Sequence, residues 1–249
     1  MIRMKKGMMI IGNCYYIELI NYKCKENFME SNKTITVAII DGGLDPNEFN
    51  VKSSIGFRLN KSGDIEKVDN PKIENNHGII VAKCIKHIYE NVEFIDLNIL
   101  DSELSSNGYV FLKALQYCEK EKPDIINLSL GTTKKRYFLA MKKIIKRLNK
   151  QNVIVVAAEN NGKRKSYPAN IRGVIGVKGN ELIDCTKYIF NNGFYYTSSK
   201  LPKTLILKKQ HEEIHGNSLA CGFMTGHICK SISAIEKNYI LREERLWKQ

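Results

Sequence analysis

The 249-residue sequence contains no stretch near the ~20 consecutive apolar residues that a membrane-spanning helix needs. Its N-terminus is basic from Met1 to Gly7 and apolar only from Met8 to Ile11. That run is too short for the core of a signal peptide. Gly12, Asn13 and Glu18 interrupt its continuation, and no A-x-A-like cleavage site follows. No two cysteines have the CxxC spacing of a zinc site. The seven, Cys14, Cys24, Cys84, Cys118, Cys185, Cys221 and Cys229, are odd in number and irregularly placed. Several fall in apolar patterns and read as buried thiols of a reducing compartment, not as a secreted disulfide framework. We therefore expect a cytoplasmic protein without a bound metal. No GxGxxG or GxxxxGK(S/T) follows a strand-like run, which removes the common nucleotide-binding loops. No recognised nucleic-acid module or aromatic-rich RNA motif is present, so no specific nucleic-acid partner is expected. With 17 glycines and 5 prolines the chain is not low-complexity, and no linker divides it. Its length suits one large core.

Acid is also missing locally. Between Lys134 and Lys150 stand Lys134, Lys135, Arg136, Lys142, Lys143, Lys146, Arg147 and Lys150 with no Asp or Glu, inside a chain of net charge +13. Leu139, Ile144, Ile145 and Leu148 approximate a helical stripe there. This segment is an amphipathic helix with either a solvated basic face or a patch for an acidic partner.

What is present alternates. Thr34–Ile40, Val92–Leu100, Pro123–Gly131, Asn152–Ala158 and Gly173–Val177 read as strands, several of them continuous β-branched runs suited to burial on both faces. Ile79–Ile88, Val110–Cys118 and the stretch from Ser218 read as helices. Residues 44–76 are irregular, with room for a hairpin and with Asn70-Pro71 and Asn75-Asn76 as breakers. Between 180 and 210, Tyr188–Phe190 and Thr204–Leu207 look like strands separated by Asn-Gly and Leu-Pro breaks. Residues 1–33 carry no assignable motif, although Met8–Ile11 and Cys14–Ile20 are strand-like and turn at Gly12-Asn13. The tail 238–249 is charged and reads as helical. The pattern predicts an α/β fold over 34–237, a mostly parallel sheet with helices on both faces.

Chemistry-bearing residues sit at the element boundaries. Asp41 ends the first buried strand in Asp41-Gly42-Gly43, where open α/β sheets place their sites, and where an Asp-Gly turn is equally at home. His77 opens a helix, with Gly78 permitting close approach. A helix N-terminus disfavours positive charge, so the imidazole is expected to stay neutral. Ser218 follows the turn Gly216-Asn217 and is either an N-cap or a nucleophile awaiting a base. His87, His211, His215 and His227 have no such setting and read as surface or core packing.

These segments together resemble the subtilisin-like serine peptidases. Val37–Gly43 resembles their strand and Asp-(Ser/Thr)-Gly motif. His77-Gly78-Ile79-Ile80-Val81-Ala82 resembles His-Gly-Thr-His-Val-Ala. Gly216-Asn217-Ser218-Leu219-Ala220 resembles Gly-Thr-Ser-Met-Ala. The order Asp, His, Ser is that of subtilisin. Asp124–Gly131 is similar to the family's substrate-binding strand, and Val155–Gly162, followed by Tyr167-Pro168-Ala169, to the segment with its oxyanion asparagine. The resemblance covers roughly 34–235. It implies the three-layer subtilisin-like fold and a serine endopeptidase with peptide or protein substrates. Asp41, His77 and Ser218 would be its triad, Asn160 its oxyanion donor, and Ser129, Leu130, Gly131 and Glu159 its substrate-binding residues. No cofactor is implied. Helix 79–88 runs almost directly into the next strand, leaving no room for the calcium insertion of larger members. Only 33 residues precede the first strand, so an inhibitory pro-domain of ordinary size is not expected.

Three departures stand out. Gly42 replaces Ser or Thr after the aspartate. Cys221-Gly222 replaces a small residue and proline after the serine motif. Glu159 replaces the glycine usual before the oxyanion asparagine. Its carboxylate either enters the slot for the side chain preceding the scissile bond, favouring Lys or Arg there, or turns to solvent or toward Lys163 or Arg164. The competing reading is an inactive peptidase-like binding module that uses its basic surface.

Overall fold

The computed structural model describes residues 33–162, 165–206 and 215–234. The β-branched run after Thr34 is β1 (Ile35–Asp41), buried at every position but Thr36. It is followed by β2 (Val51–Leu59), β3 (Ile65–Asp69), helix α1 (His77–Ile88), β4 (Val92–Asn98), α2 (Gly108–Glu121) and β5 (Ile125–Leu128). Then come α3 (Phe138–Lys150), β6 (Ile154–Ala158), β7 (Val174–Asn180), β8 (Ile189–Asn191), β9 (Phe194–Ser198) and α4 (Asn217–Ala234). Among the described residues the strands make one nine-stranded sheet in the order β3-β2-β4-β1-β5-β6-β7-β9-β8. Every pairing is parallel except the two edge hairpins, β2–β3 and β8–β9.

The apolar runs make an interior sheet because both faces are covered. On one face Ala38, Ile40, Leu97 and Val155 pack against Phe111, Leu115, Met141 and Ile145 of α2 and α3. On the other, Val37, Ile39, Phe94 and Val156 pack against Val81, Ile85, Ala220 and Met224 of α1 and α4. The result is the expected three-layer α/β arrangement.

Details differ from the sequence reading. The Asn-Gly break is a hairpin turn: Asn192 and Gly193 take φ of 48° and 79° and join β8 to β9, a strand the local pattern did not announce. Thr204 lies in a single 3₁₀ turn, Lys203–Leu205, not in a strand. Strand β5 stops at Leu128, so Ser129-Leu130-Gly131 leave the sheet, and Thr132 pairs with Tyr167 instead. The basic helix begins at Phe138, after a 3₁₀ turn over Lys135–Tyr137. The hairpin proposed for Met8–Ile20 and the helical tail 238–249 lie outside the described residues.

Candidate active site

The sheet brings the quoted motifs to one edge. Adjacent strands β4, β1, β5 and β6 all end there, and α1 and α4 begin there. Asp41, the last residue of β1, is fully buried. His77, the first residue of α1, places Nδ1 at 2.7 Å from Asp41 Oδ1 and 3.0 Å from Oδ2. Nδ1–H therefore donates to the carboxylate and Nε2 is the nitrogen left to accept a proton. The Gly42 N–H also donates to Asp41 Oδ1, at 2.7 Å.

Two glycines make this approach possible. A Cβ on Gly78 would stand 2.7 Å from the Gly43 carbonyl oxygen and 3.3 Å from Asp41 Cβ. A Cβ on Gly42 would stand 2.1 Å from Asn75 Oδ1, so the serine or threonine of the resembled motif would have to displace the Asn75 side chain. Asn75, read in the sequence only as a breaker, occupies that space. Its Oδ1 accepts the His77 N–H at 3.0 Å and its Nδ2 donates to the Asp101 carbonyl at 2.9 Å. It thereby caps α1 from one residue further out than a usual N-cap.

Burial of the imidazole opposes its charge, but the Asp41 carboxylate and its hydrogen bond outweigh this and raise the His77 pKa above its ordinary value. This corrects the expectation drawn from the helix terminus alone. A carboxylate in direct contact exceeds the partial charge of a helix end. On β4, burial pushes the Asp96 carboxyl up to about 6, with the Asp41 charge acting in the same direction.

Ser218 is the second residue of α4, inside the first turn, so it is not the N-cap. Gly216, at φ 139°, supplies the turn conformation that a side chain would strain. Ser218 Oγ donates to the Ser129 carbonyl at 3.1 Å, and Ser129 Oγ donates to the Ser218 carbonyl at 3.4 Å. Beneath them Asn127 Nδ2 donates to Ser129 Oγ at 3.1 Å, and Thr225 Oγ1 donates to Asn127 Oδ1 at 2.8 Å. A polar ladder thus ties α4 to the end of β5. Gly222 and Gly226 let α4 lie against α1: added Cβ atoms would meet the Val81 carbonyl at 2.9 Å and the Ile85 carbonyl at 2.6 Å.

A cavity of about 390 Å³ opens beside Ser218. Ser129 to Lys134 line it from the segment after β5, Ala158 to Asn161 from the end of β6 and the loop that follows, with Ser166, Asn217 and Ser218 completing it. All the residues expected to bind substrate or the oxyanion therefore meet here: Ser129, Leu130, Gly131, Glu159 and Asn160. Asp41 and His77 stand outside this lining. Thr132, Thr133, Lys134, Ser166 and Asn217 were not foreseen as pocket residues. Asn217 lay within a quoted motif, as the replacement of its threonine; the others carried no local signal.

Asn160 Oδ1 accepts the Gly162 N–H at 3.2 Å, which orients the amide and leaves Nδ2 as its donor group. Among the described residues Glu159 holds its carboxylate neither in the slot nor in solvent. It is 8% exposed, and its carboxylate turns back into its own loop. Oε1 accepts from Asn160 N at 3.0 Å, Ser166 N at 2.9 Å and Ser166 Oγ at 2.7 Å, and Oε2 accepts from Asn170 Nδ2. Burying a carboxylate is costly without donors, and four neutral donors close by in sequence supply them. Lys163 and Arg164 lie outside the described residues.

Among the described residues no three His, Cys, Asp or Glu side chains are grouped to hold a metal. His227 is a packed core histidine. Its Nε2 lies 2.8 Å from the Cys185 carbonyl, and burial lowers its pKa to about 4. His211 lies outside the described residues.

The model of the Subtilase family matches residues 32–246. A curated relative, the minor extracellular protease Epr of Bacillus subtilis, is 28% identical over 159 residues. That match takes in 59% of this chain and 23% of Epr, so the chain spans about a quarter of that relative's length. A cold-adapted subtilisin-like serine proteinase superposes with a TM-score of 0.63 at 17% identity, covering 87% of this chain and 82% of its own. A lanthipeptide protease gives 0.57 at 19%, covering 85% and 75%. The epidermin leader peptide processing serine protease EpiP of Staphylococcus aureus gives 0.59 at 17%, covering 86% and 68%. At these identities the solved structures establish a shared fold.

Proposed function

Because this chain belongs to the subtilase family, we propose that it is a serine endopeptidase whose triad is Asp41, His77 and Ser218. The observation that carries the reading is the Asp41–His77 pair, with Nδ1 2.7 Å from the carboxylate, in the family's motif order. In this mechanism the Ser218 hydroxyl leaves the Ser129 carbonyl and turns to His77 Nε2. Oγ attacks the scissile carbonyl carbon as its proton passes to Nε2. The C–N bond then breaks, and Nε2 returns the proton to the departing amine. Water repeats the sequence on the acyl-enzyme and restores the Ser218 hydroxyl. Asp41 holds the tautomer and stabilises the imidazolium. Asn160 Nδ2 and the Ser218 N–H receive the oxyanion, and loss of one such donor costs about 10²–10³ in kcat. Leu130 and Gly131 receive the substrate backbone as an added strand.

We further propose limited processing of a peptide precursor inside the cell. Its support is the likeness to a leader peptide processing protease and to a lanthipeptide protease. The five described cysteines, all free and buried, favour a reducing compartment.

A fluorophosphonate probe tests the central claim. Wild type should label at one serine, and Ser218→Ala and His77→Ala should not. Turnover losses in Ser218→Ala and in the double variant should be nearly equal, because the triad acts as a unit. An unlabelled wild type would instead leave a peptidase-like binding module.

A further inference from the structure

We propose that Glu159 and Asn217 are positioning residues that together hold Asn160 in place against Ser218. The proposal rests on the catalytic reading of Asn160 and Ser218, and it replaces a specificity role for Glu159.

Asn160 and Ser218 belong to different parts of the chain. Asn160 leaves the end of β6, in a loop. Ser218 lies in the first turn of α4, and its neighbour Asn217 is 58 residues from Glu159, on whose carbonyl it docks. Backbone geometry alone does not set their separation, yet an oxyanion donor must stand within a fraction of an ångström of its working position.

Asn217 bridges the two. Its Nδ2 donates to the Glu159 carbonyl at 2.8 Å, and its Oδ1 accepts the Gly179 N–H at 2.7 Å. Its own N–H reaches Asn161 Oδ1 at 3.4 Å. One side chain therefore fastens the residue before the nucleophile to the residue before Asn160 and to β7. Threonine, usual at this place in the resembled motif, has one hydroxyl and cannot span both partners with separate donor and acceptor atoms.

Glu159 completes the hold from the other side. Its Oε1 takes the Asn160 N–H, which is shared with Ser166 Oγ at 2.9 Å. Its four donors, from Asn160, Ser166 and Asn170, tie the start of the loop to its return. Asn170 Nδ2 also donates to the Ser166 carbonyl at 2.9 Å, which fixes the donor that Oε2 needs. The Glu159 side chain thus fixes the Asn160 backbone, while the Glu159 carbonyl receives the nucleophile's neighbour. Glycine at 159 would keep the second bond and lose the whole first set.

Kinetics and amide exchange test the clamp together. Asn217→Ala and Glu159→Gly should each lower kcat by about 10- to 100-fold, the scale of a misplaced catalytic group, with KM changed less than about twofold. Glu159→Gln keeps an oxygen for the Asn160 and Ser166 donors and should fall between. In an Asn160→Ala background, either change should cost less than about twofold more, because the donor being positioned is gone. The ratio of kcat/KM for matched peptides with Arg or Leu before the scissile bond should stay constant. A wild-type kcat in both Asn217→Ala and Glu159→Gly, full multiplicative losses on top of Asn160→Ala, or an Arg/Leu ratio that moves with Glu159 would each overturn the clamp. Amide hydrogen exchange reads it without turnover. The Asn160 N–H of wild type should be protected, and fast exchange there would also overturn the clamp. If wild type fails to label with fluorophosphonate, the catalytic reading falls and exchange decides the clamp by itself.

Discussion

In the proposed mechanism His77 works through the ring nitrogen that Asp41 does not hold. Neutral imidazole would then be the form that accepts the Ser218 proton, and Asp41 raises the His77 pKa above its ordinary 6.5. The neutral fraction therefore grows only at higher pH, and kcat/KM of the free enzyme should rise with pH through a midpoint above 6.5. Asp41→Asn removes the attraction and the charged hydrogen-bond partner but leaves burial, which acts downward. The midpoint should then drop, and the plateau rate should fall by about 10⁴. A pH–rate profile, with the His77 ring titrated by NMR as a check, measures both. A midpoint indifferent to Asp41→Asn would remove Asp41 from the triad. At the same scale, Gly42 is explained by the Asn75 side chain that fills its missing Cβ. Asn75 there caps His77 and bonds the Asp101 carbonyl, while Asp41 Oδ1 accepts the Gly42 N–H.

At the scale of elements, His77 and Ser218 stand in the first turns of α1 and α4, which pack against each other. Gly222 and Gly226 face Val81, Cys84, Ile85 and Ile88 closely enough that a Cβ at either would sit under 3 Å from a backbone carbonyl of α1. Gly222→Val should push the helices apart. Overpacking of this kind costs about 1–3 kcal/mol, and here it should also move the start of α1, with His77, away from Ser218. The expected result is a lowered melting temperature together with slower fluorophosphonate labelling, measured at a temperature where the variant is folded. Unchanged labelling in a destabilised Gly222→Val would show that the helix contact stabilises the fold without setting the site. The polar ladder from Thr225 through Asn127 to Ser129 fixes the third direction, holding α4 to the sheet edge.

Across the whole molecule, charge is uneven. Lys142, Lys143, Lys146 and Lys150 are exposed along α3, while Arg147 is engaged by Glu119 through bonds of 2.5 and 3.1 Å. The same basic segment begins at Lys134, in the cavity wall. If this basic stretch steers substrates at all, it acts on those that carry acidic residues. For such a substrate kcat/KM should fall steeply with added salt, because screening shortens the reach of exposed charges to about 10 Å at 0.1 M. Lys142, Lys143 and Lys146 changed to Glu should flatten that dependence while leaving a neutral substrate unaffected. An unchanged salt slope in the triple variant would reduce α3 to a solvated face.

The sequence by itself determined the interior strands, the helices that cover them and the order of the three chemistry-bearing motifs. Those signals are local: β-branched runs for strands buried on both faces, helical spacing in 79–88 and 110–118, and Asp41, His77 and Ser218 at element ends. It did not announce β9, whose Phe194–Ser198 alternation is short and whose Asn192-Gly193 turn reads equally as a break. What only the tertiary structure decided are relations between distant segments. Asn75 fills the space over Gly42, Asp41 overrides the helix terminus at His77, and Asn217 reaches Glu159 and Gly179. Glu159 shows why most plainly. From the chain alone a carboxylate beside a pocket has three possible partners: a substrate cation, solvent or a nearby lysine or arginine. Its real partners, Ser166 and Asn170, are 7 and 11 residues away and become neighbours only when the loop folds back on β6. A side chain's direction depends on where donors converge in space, and that convergence is a property of the fold.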